Sequence, residues 1–340
     1  MNTHTAGQQR FQVAENENGR RLDSVLAARH PEVSRSRLQN WIRGGAVTVS
    51  VDASDVAVTS PAHRLVAGAT LTLTPPSPPS RAELIAAPTP PLAVLHEDED
   101  IVVINKPAGV VMHPAPGNRS GTLSQALRAR YGDEQMNLGG EIRGGVVHRL
   151  DKGTSGVVVA ARTARAWREL TRAFAEHAPE RRYLALVCGT PSPARAVVRG
   201  RMARDPNARQ RMTLTSGKGR ESETRWRVRE TLAGGGAALL EARPSSGRTH
   251  QIRVHLSACG HPIIGDDRYG GRRLQRDAEA LLGYRSDRPL LHAWRLGFRH
   301  PADGAAMDFR VAPPADFLRA LGVLNGDVDA VTDSSEGGGR

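Results

Sequence analysis

The sequence predicts an α+β protein in which a small αβ module precedes a large domain built on a mixed, mostly antiparallel sheet. Three observations carry this reading. Beyond residue 92, short apolar segments alternate with glycine-rich turns, and only two or three helical stretches interrupt them. Between residues 20 and 74, two short amphipathic helices precede two strand-like runs. Between these regions, residues 75–91 hold seven of the 22 prolines, a density that excludes helix or central strand and reads as a stiff linker.

Residues 1–19 are polar and read as a flexible tail. Leu22, Val25 and Leu26 recur at helical spacing, and His30-Pro31 ends that helix because proline disfavours helix at the residue before it. Ser34 is a fitting N-cap for a second helix with Leu38, Trp41 and Ile42 on its apolar face, and Gly44-Gly45 stops it. Alternation predicts strands over 46–51 and 69–73, with 50–62 as a long, irregular connection. In the large domain, 92–321, strands are predicted over 101–104, 146–150, 157–161, 183–187, 237–242 and 250–256. Helices follow from Leu123, Ala126, Leu127 and Arg130, and from Trp167, Leu170, Thr171 and Phe174. Residues 322–340, with Asp327, Asp329, Asp333, Glu336 and a terminal glycine run, read as a disordered tail.

A formal charge of +12 suits a polyanionic partner such as nucleic acid. Only three of the 47 basic residues are lysines, Lys106, Lys152 and Lys218. No apolar run is long enough to cross a bilayer, so no membrane partner is expected. The first 20 residues lack the apolar core of a secretory signal. Cys188 and Cys259 stand far apart with no metal-ligand spacing around them, which reads as two free thiols in a reducing cytoplasm. Nothing in the sequence suggests more than a monomer.

Two segments concentrate polar chemistry. Residues 146–150 run into a loop containing Gly153 and Gly156, and strand alternation would put Val147, Arg149 and Asp151 on one side. Taken alone, this is an ordinary strand-terminal turn. In 249–256, alternation gives Ile252, Val254 and Leu256 a core face and gives Thr249, Gln251, Arg253 and His255 a polar one. Such a strand is either half exposed, or it points Arg253 into a cleft. There a guanidinium would neutralise a carboxylate and lower its pKa, as a nucleophile requires. Tyr183, after Arg181-Arg182, is either a core residue or a stacking platform for an extruded base. Arg20, Arg21, Arg35, Arg37 and Arg43 rim the helix pair of the small module, and on charge alone a phosphate-binding surface and a solvated face are equally good readings.

In combination these pieces resemble known families. The run Arg21-Leu22-Asp23, Ser34-Arg35-Ser36-Arg37-Leu38 and Ile42-Arg43-Gly44-Gly45-Ala46-Val47-Thr48-Val49 resembles the alpha-L type RNA-binding domain. It departs from that family at 50–62, where a tight Asn-Gly turn is usual. His148-Arg149-Leu150-Asp151 with Thr154-Ser155-Gly156, then 182–187, then 247–255, resemble in order the three core motifs of RluA-type pseudouridine synthases, nearest the RluD-like subgroup. Asn105-Lys106-Pro107-Ala108-Gly109, Gly265-Asp266 with Tyr269-Gly270-Gly271, and Leu291-His292-Ala293 add to the likeness, which spans residues 20–321. Gly153 departs from it, standing where that family usually has an acid.

The resemblance implies an enzyme that isomerises uridine to pseudouridine, with 23S large-subunit ribosomal RNA or its assembling particle as substrate. No cofactor is expected, because nothing is oxidised and no group is transferred. Asp151 is the implied catalytic carboxylate, by attack on sugar or base or by abstraction of a ribose proton. Arg253 would pair with it, Ile252 pack beside the pocket, and Arg149 fill the gap left by a flipped base. Tyr183 would stack on the uracil and take the C5 proton. Lys106, Lys152, Arg35, Arg37 and Arg43 are expected RNA contacts. The rival readings are a non-catalytic RNA-binding ribosome-assembly factor, a 5-methyluridine methyltransferase, and a metal-dependent hydrolase using Asp266 and Asp267. Neither cysteine has a methyltransferase context, and no two-histidine-plus-carboxylate spacing supports a metal.

Overall fold

The structure is a computed structural model describing residues 8–332 except 31, 32, 34, 52, 53, 76–88, 116, 117, 133, 134, 140–142 and 209. The expected cap Ser34, most of the proline-rich linker and residues 333–340 therefore lie outside the described residues. The chain divides into two compact units between residues 83 and 84.

The first unit holds β1 (Gln9–Gln12), α1 (Leu22–Arg29), α2 (Arg35–Arg43), β2 (Val47–Val51), β3 (Ser54–Ala57) and β4 (Thr70–Leu73). Its antiparallel sheet has the order β1-β4-β2-β3, and Leu22, Val25, Leu26, Leu38 and Ile42 are fully buried. Two expectations are corrected here. Within the expected tail 1–19, Gln9–Gln12 pair with β4 and Val13 is buried. An edge strand needs one row of main-chain partners and few apolar side chains, so its polar sequence hid it. Within 50–62, residues 54–57 pair with β2 from Val51↔Ser54 onward, so that stretch begins as a hairpin.

The second unit holds β5 (Ala93–Glu97), β6 (Ile101–Lys106), α3 (Leu123–Tyr131), β7 (Ser155–Ala161), α4 (Ala164–Ala175) and β8 (Glu180–Cys188). It continues with β9 (Arg195–Arg204), β10 (Met212–Thr215), β11 (Arg220–Leu232), β12 (Ala237–Pro244), α5 (Gln251–Ala258) and α6 (Arg272–Leu282). β13 (Leu291–Arg299), β14 (Ala306–Arg310), α7 (Ala315–Val323) and α8 (Asp329–Thr332) complete it. The strands form one sheet in the order β10-β9-β11-β12-β8-β13-β7-β6-β5, with β14 paired to β13. Among the strands of the described residues, only β13 and β7 pair in parallel, so the sheet is mixed and mostly antiparallel, as the sequence predicts.

β8 is a central strand, and its two faces bury different cores. Tyr183, Ala185 and Val187 pack with Trp226, Ile252 and Leu256 on one side, whereas Leu184 and Leu186 meet α6 and α7 on the other. Around the tail predicted at 322–340, Leu324 is fully buried and Val331 of α8 joins the second core, so the described part of that segment is packed.

Two predicted strands are not strands. Residues 146–150 make one bridge, Val146↔Ala160, and otherwise run as a loop. The imidazole of His148 accepts the N–H of Val159 at 3.1 Å, taking a β7 donor that a neighbouring strand would otherwise have met. Residues 251–258 form helix α5, and Gln251 through Leu256 are all buried. The apolar alternation there is not a strand's two faces, because every side of this helix is covered.

Candidate active site

The loop after Leu150 is fixed from several directions. Thr154 N–H donates to Asp151 C=O at 3.0 Å, and Gly109 N–H donates to Lys152 C=O at 2.7 Å. Arg288 Nη1 donates to Gly153 C=O at 3.0 Å while its Nη2 pairs with Asp316 of α7 at 2.9 Å. The loop then enters β7 through Gly156, whose φ is +121°; a Cβ there would collide with the carbonyl of Ala293 on β13. Only glycine allows that close strand approach. Ser155 and His292 tie the same strands: the histidine gives Nε2–H to Val311 C=O at 3.0 Å, leaving Nδ1 to accept from the Ser155 hydroxyl at 2.9 Å.

Asp151 sits at the end of this loop with its side chain 15% exposed. Arg253, on α5, donates from Nη1 to Asp151 at 3.2 Å. Its Nε and Nη2 form a bidentate pair with Asp266 at 2.7 and 2.8 Å, and Asp266 is fully buried. Asp266 also accepts N–H bonds from Arg268 at 3.1 Å and Tyr269 at 3.2 Å. This carboxylate therefore fixes the guanidinium plane and aims its remaining edge at Asp151. Next to it, His250 is pushed down to about 4 by burial. Neutral, it accepts the Tyr269 hydroxyl on Nδ1 at 2.7 Å, and that hydroxyl in turn accepts Met212 N–H at 2.9 Å.

Asp151 and Arg253 line two spaces. One is a narrow pocket of about 60 Å³ that also takes in Arg149, Thr154, Tyr183 and Ile252. The other is an open cleft of about 580 Å³ carrying Arg268, Arg285, Arg288 and Arg319. The structure thus brings together Asp151, Tyr183, Arg253, Ile252 and Arg149, although 102 residues separate the paired Asp151 and Arg253. Tyr183 is 9% exposed, and burial raises its pKa.

The expected RNA contacts fare unevenly. Lys106 does not reach solvent. It is fully buried, and its Nζ donates to the carbonyls of Pro107 at 2.8 Å and Val110 at 2.9 Å. Burial pushes it down to about 7, with Asp151 pulling the other way. Its sequence context beside Pro107 made it look like a loop cation, but it holds the turn together from inside. Lys152 is exposed and donates to Asn118 at 2.9 Å, and Arg149 is exposed in the site. In the first unit, Arg35 is engaged with Asp23 at 3.1 Å and Ser24 at 2.9 Å, and Arg43 is exposed with one bond to Asn40. Arg37 lies on α2, and its side chain lies outside the described residues.

Sequence reasoning missed Asp266 as the brace of Arg253, considering its carboxylate only for a metal. That reading fails on geometry: Asp266 is spent on Arg253, and Asp267 pairs with Arg285 at 2.8 Å. Among the described residues, no group of three or more His, Cys, Asp or Glu side chains is placed to hold a metal ion. No helix there is long and apolar enough to cross a membrane.

Comparison with known proteins agrees with this architecture. A family model described as RNA pseudouridylate synthase matches residues 100–258. The chloroplastic RNA pseudouridine synthase 2 of Oryza sativa subsp. japonica is 36% identical over 94% of this chain and 82% of its own length. The ribosomal large subunit pseudouridine synthase D of Zymomonas mobilis subsp. mobilis is 40% identical over 88% of this chain and 92% of its own. The solved structure of human RNA pseudouridylate synthase domain containing 1 superposes with a TM-score of 0.52 at 28% identity, over 66% of this chain and 84% of that one. The chain is an enzyme of the isomerase class. It belongs to the RNA pseudouridine synthase family.

Proposed function

We propose that this synthase modifies uridines in large-subunit ribosomal RNA, acting as a cytoplasmic monomer with Asp151 as its essential carboxylate. The observation that carries the assignment of Asp151 is its position: paired with a braced arginine, between an arginine-lined cleft and the pocket of Tyr183. The substrate reading rests on relatives that are themselves large-subunit synthases.

The reaction breaks the N1–C1′ bond, joins C1′ to C5 of the same uracil, takes up a proton at N1 and releases the C5 proton. Every atom but that proton stays in the nucleotide. A stacked base hides these atoms, so the uridine leaves the helix before reacting. The uracil enters the narrow pocket that Asp151, Tyr183, Ile252 and Arg253 line. Arg149, exposed at its edge, fills the vacated stack. Tyr183 supplies the ring face on which the uracil rests, and Ile252 closes the side of the pocket. Asp151 then attacks the sugar or base, or removes a ribose proton; Arg253 balances its charge throughout. Tyr183, whose hydroxyl burial keeps protonated, receives the C5 proton only if that hydroxyl is first deprotonated in the complex.

The test is tritium release from ribosomal RNA fragments labelled at uracil C5, comparing wild type with Asp151→Asn. Release by wild type and none by the variant, with RNA binding intact, is the expected result. Full activity of the variant would sink the assignment of Asp151. Complementation of a deletion strain by the inactive variant would favour a second role in ribosome assembly.

A further inference from the structure

Arg181 stands two residues before Tyr183 on β8 and lines the same pocket. It is 9% exposed, yet no carboxylate pairs with it among the described residues. Its hydrogen bonds are two long ones from Nη2, to the carbonyls of Pro244 at 3.5 Å and Ser245 at 3.4 Å, and its Nε is buried without a partner. The Phe174 ring lies 6.0 Å from the guanidinium carbon. Arg253, equally buried, answers its charge with two carboxylates. A guanidinium carries five donors and cannot shed its proton, so burying one without an anion is costly.

The surroundings keep this cation reachable. Gly247 lies against it, and a Cβ there would stand 3.2 Å from Arg181 Nη1. Arg149 and Arg248 line the same pocket, so the deficit is of negative charge. Asp151 is on that lining too, but it already faces Arg253.

We propose that Arg181 is the seat of a backbone phosphate at the target nucleotide, so that the strand is anchored at the pocket that receives its base. This deepens the synthase reading above and rests on it. A phosphate meets a guanidinium fork with two parallel charge-assisted bonds, which a neutral base carbonyl cannot do. The two occupants differ in one observable: neutralising a phosphate releases counterions and adds to the salt dependence of binding, whereas a carbonyl adds nothing.

The experiment compares wild type, Arg181→Lys and Arg181→Gln on a single-stranded ribosomal RNA fragment containing the target uridine. It measures KM and kcat by tritium release, Kd by fluorescence anisotropy over a range of salt, and the melting temperature of each protein. For Arg181→Gln, Kd and KM are expected to rise about tenfold or more. The slope of log Kd against log salt should shrink by about 0.7, the share of one phosphate on a single strand. Its melting temperature should stay level or rise, because an unmatched buried cation is removed; Arg181→Lys should keep the slope. An unchanged slope in Arg181→Gln overturns the proposal, as does a weakened affinity that tracks a lowered melting temperature. If wild type binds the fragment but releases no tritium from any ribosomal RNA, the proposed function fails instead, and the anisotropy slopes still decide Arg181.

Discussion

Arg253 gives two nitrogens to Asp266 and one to Asp151, so the buried carboxylate holds it more firmly than the one that lines the pocket. The arrangement separates two tasks. Asp266 fixes the guanidinium, and Asp151 keeps oxygen lone pairs available for chemistry. Replacing Asp266 with Asn keeps the shape and removes the charge. We expect kcat to fall by about a hundredfold through misplacement of Arg253, with KM changed far less. Stability should drop by about 3–5 kcal/mol, because a buried cation loses its main partner. Steady-state kinetics and denaturant titration check both, and an unaltered kcat would remove Asp266 from the mechanism.

Lys106 should leave a signature in the pH dependence of stability. Its folded pKa is about 7 against 10.5 in the unfolded chain, so between those values the unfolded state binds the extra proton. Stability therefore rises with pH across that window, by up to about 1.4 kcal/mol per unit from this group. In Lys106→Met the contribution vanishes. Denaturant titrations at pH 7, 8 and 9 should show wild type gaining relative to the variant, and parallel curves would contradict the assignment.

Acid should act through histidine. Burial pushes His148 down to about 3 and His250, His255 and His292 to about 4. Each lies below the ordinary value near 6.5, so their stability contribution is complete above that pH and is lost as pH falls toward 4. Unfolding at pH 5 should take up nearly four protons from these groups. The slope of unfolding free energy between pH 6.5 and 5 measures the uptake, and a slope below one proton would exclude this account.

In the first unit Asp23 is the hub. It is fully buried, and it accepts from Arg21 at 3.0 Å, Arg35 at 3.1 Å and Gln39 at 2.7 Å, with the Arg21 bond foremost in holding it well below the usual carboxylate range. Asp23→Ala should destabilise this unit by about 2 kcal/mol or more, moderated by the half-exposed arginines. Hydrogen exchange should quicken across α1 and α2 while the loop around Asp151 stays protected. Equal quickening in both units would contradict an effect local to the first unit.

How much of this was legible depended on where each pattern came from. The strands β6, β7 and β8 are continuous apolar runs buried on both faces, so Ile101–Ile104, Val157–Ala161 and Tyr183–Val187 announce themselves. Helix α5 did not, because Arg253 and His255 are buried with Ile252, Val254 and Leu256 and no polar face remains to set a helical period. Its start is equally silent: His250 enters it in a left-handed conformation with no side-chain cap. Asp151, Tyr183 and Arg253 were legible as a set through motif resemblance. Asp266, Arg181 and the burial of Lys106 were not, since each depends on which partner a polar group finds after folding. That pairing is long-range and leaves no local spacing.

The clamp of Arg288 between Gly153 and Asp316 ties the site to the order in which the chain is made. Asp151 leaves the ribosome with half the protein still to come, and it emerges without Arg253, Asp266, Arg288 or α7. A growing chain therefore lacks the paired and clamped loop while much of its second unit is still being made. The tie from Gly153 through Arg288 to Asp316 can form only once α7 has been made, so this loop is among the last parts of the second unit to be fixed.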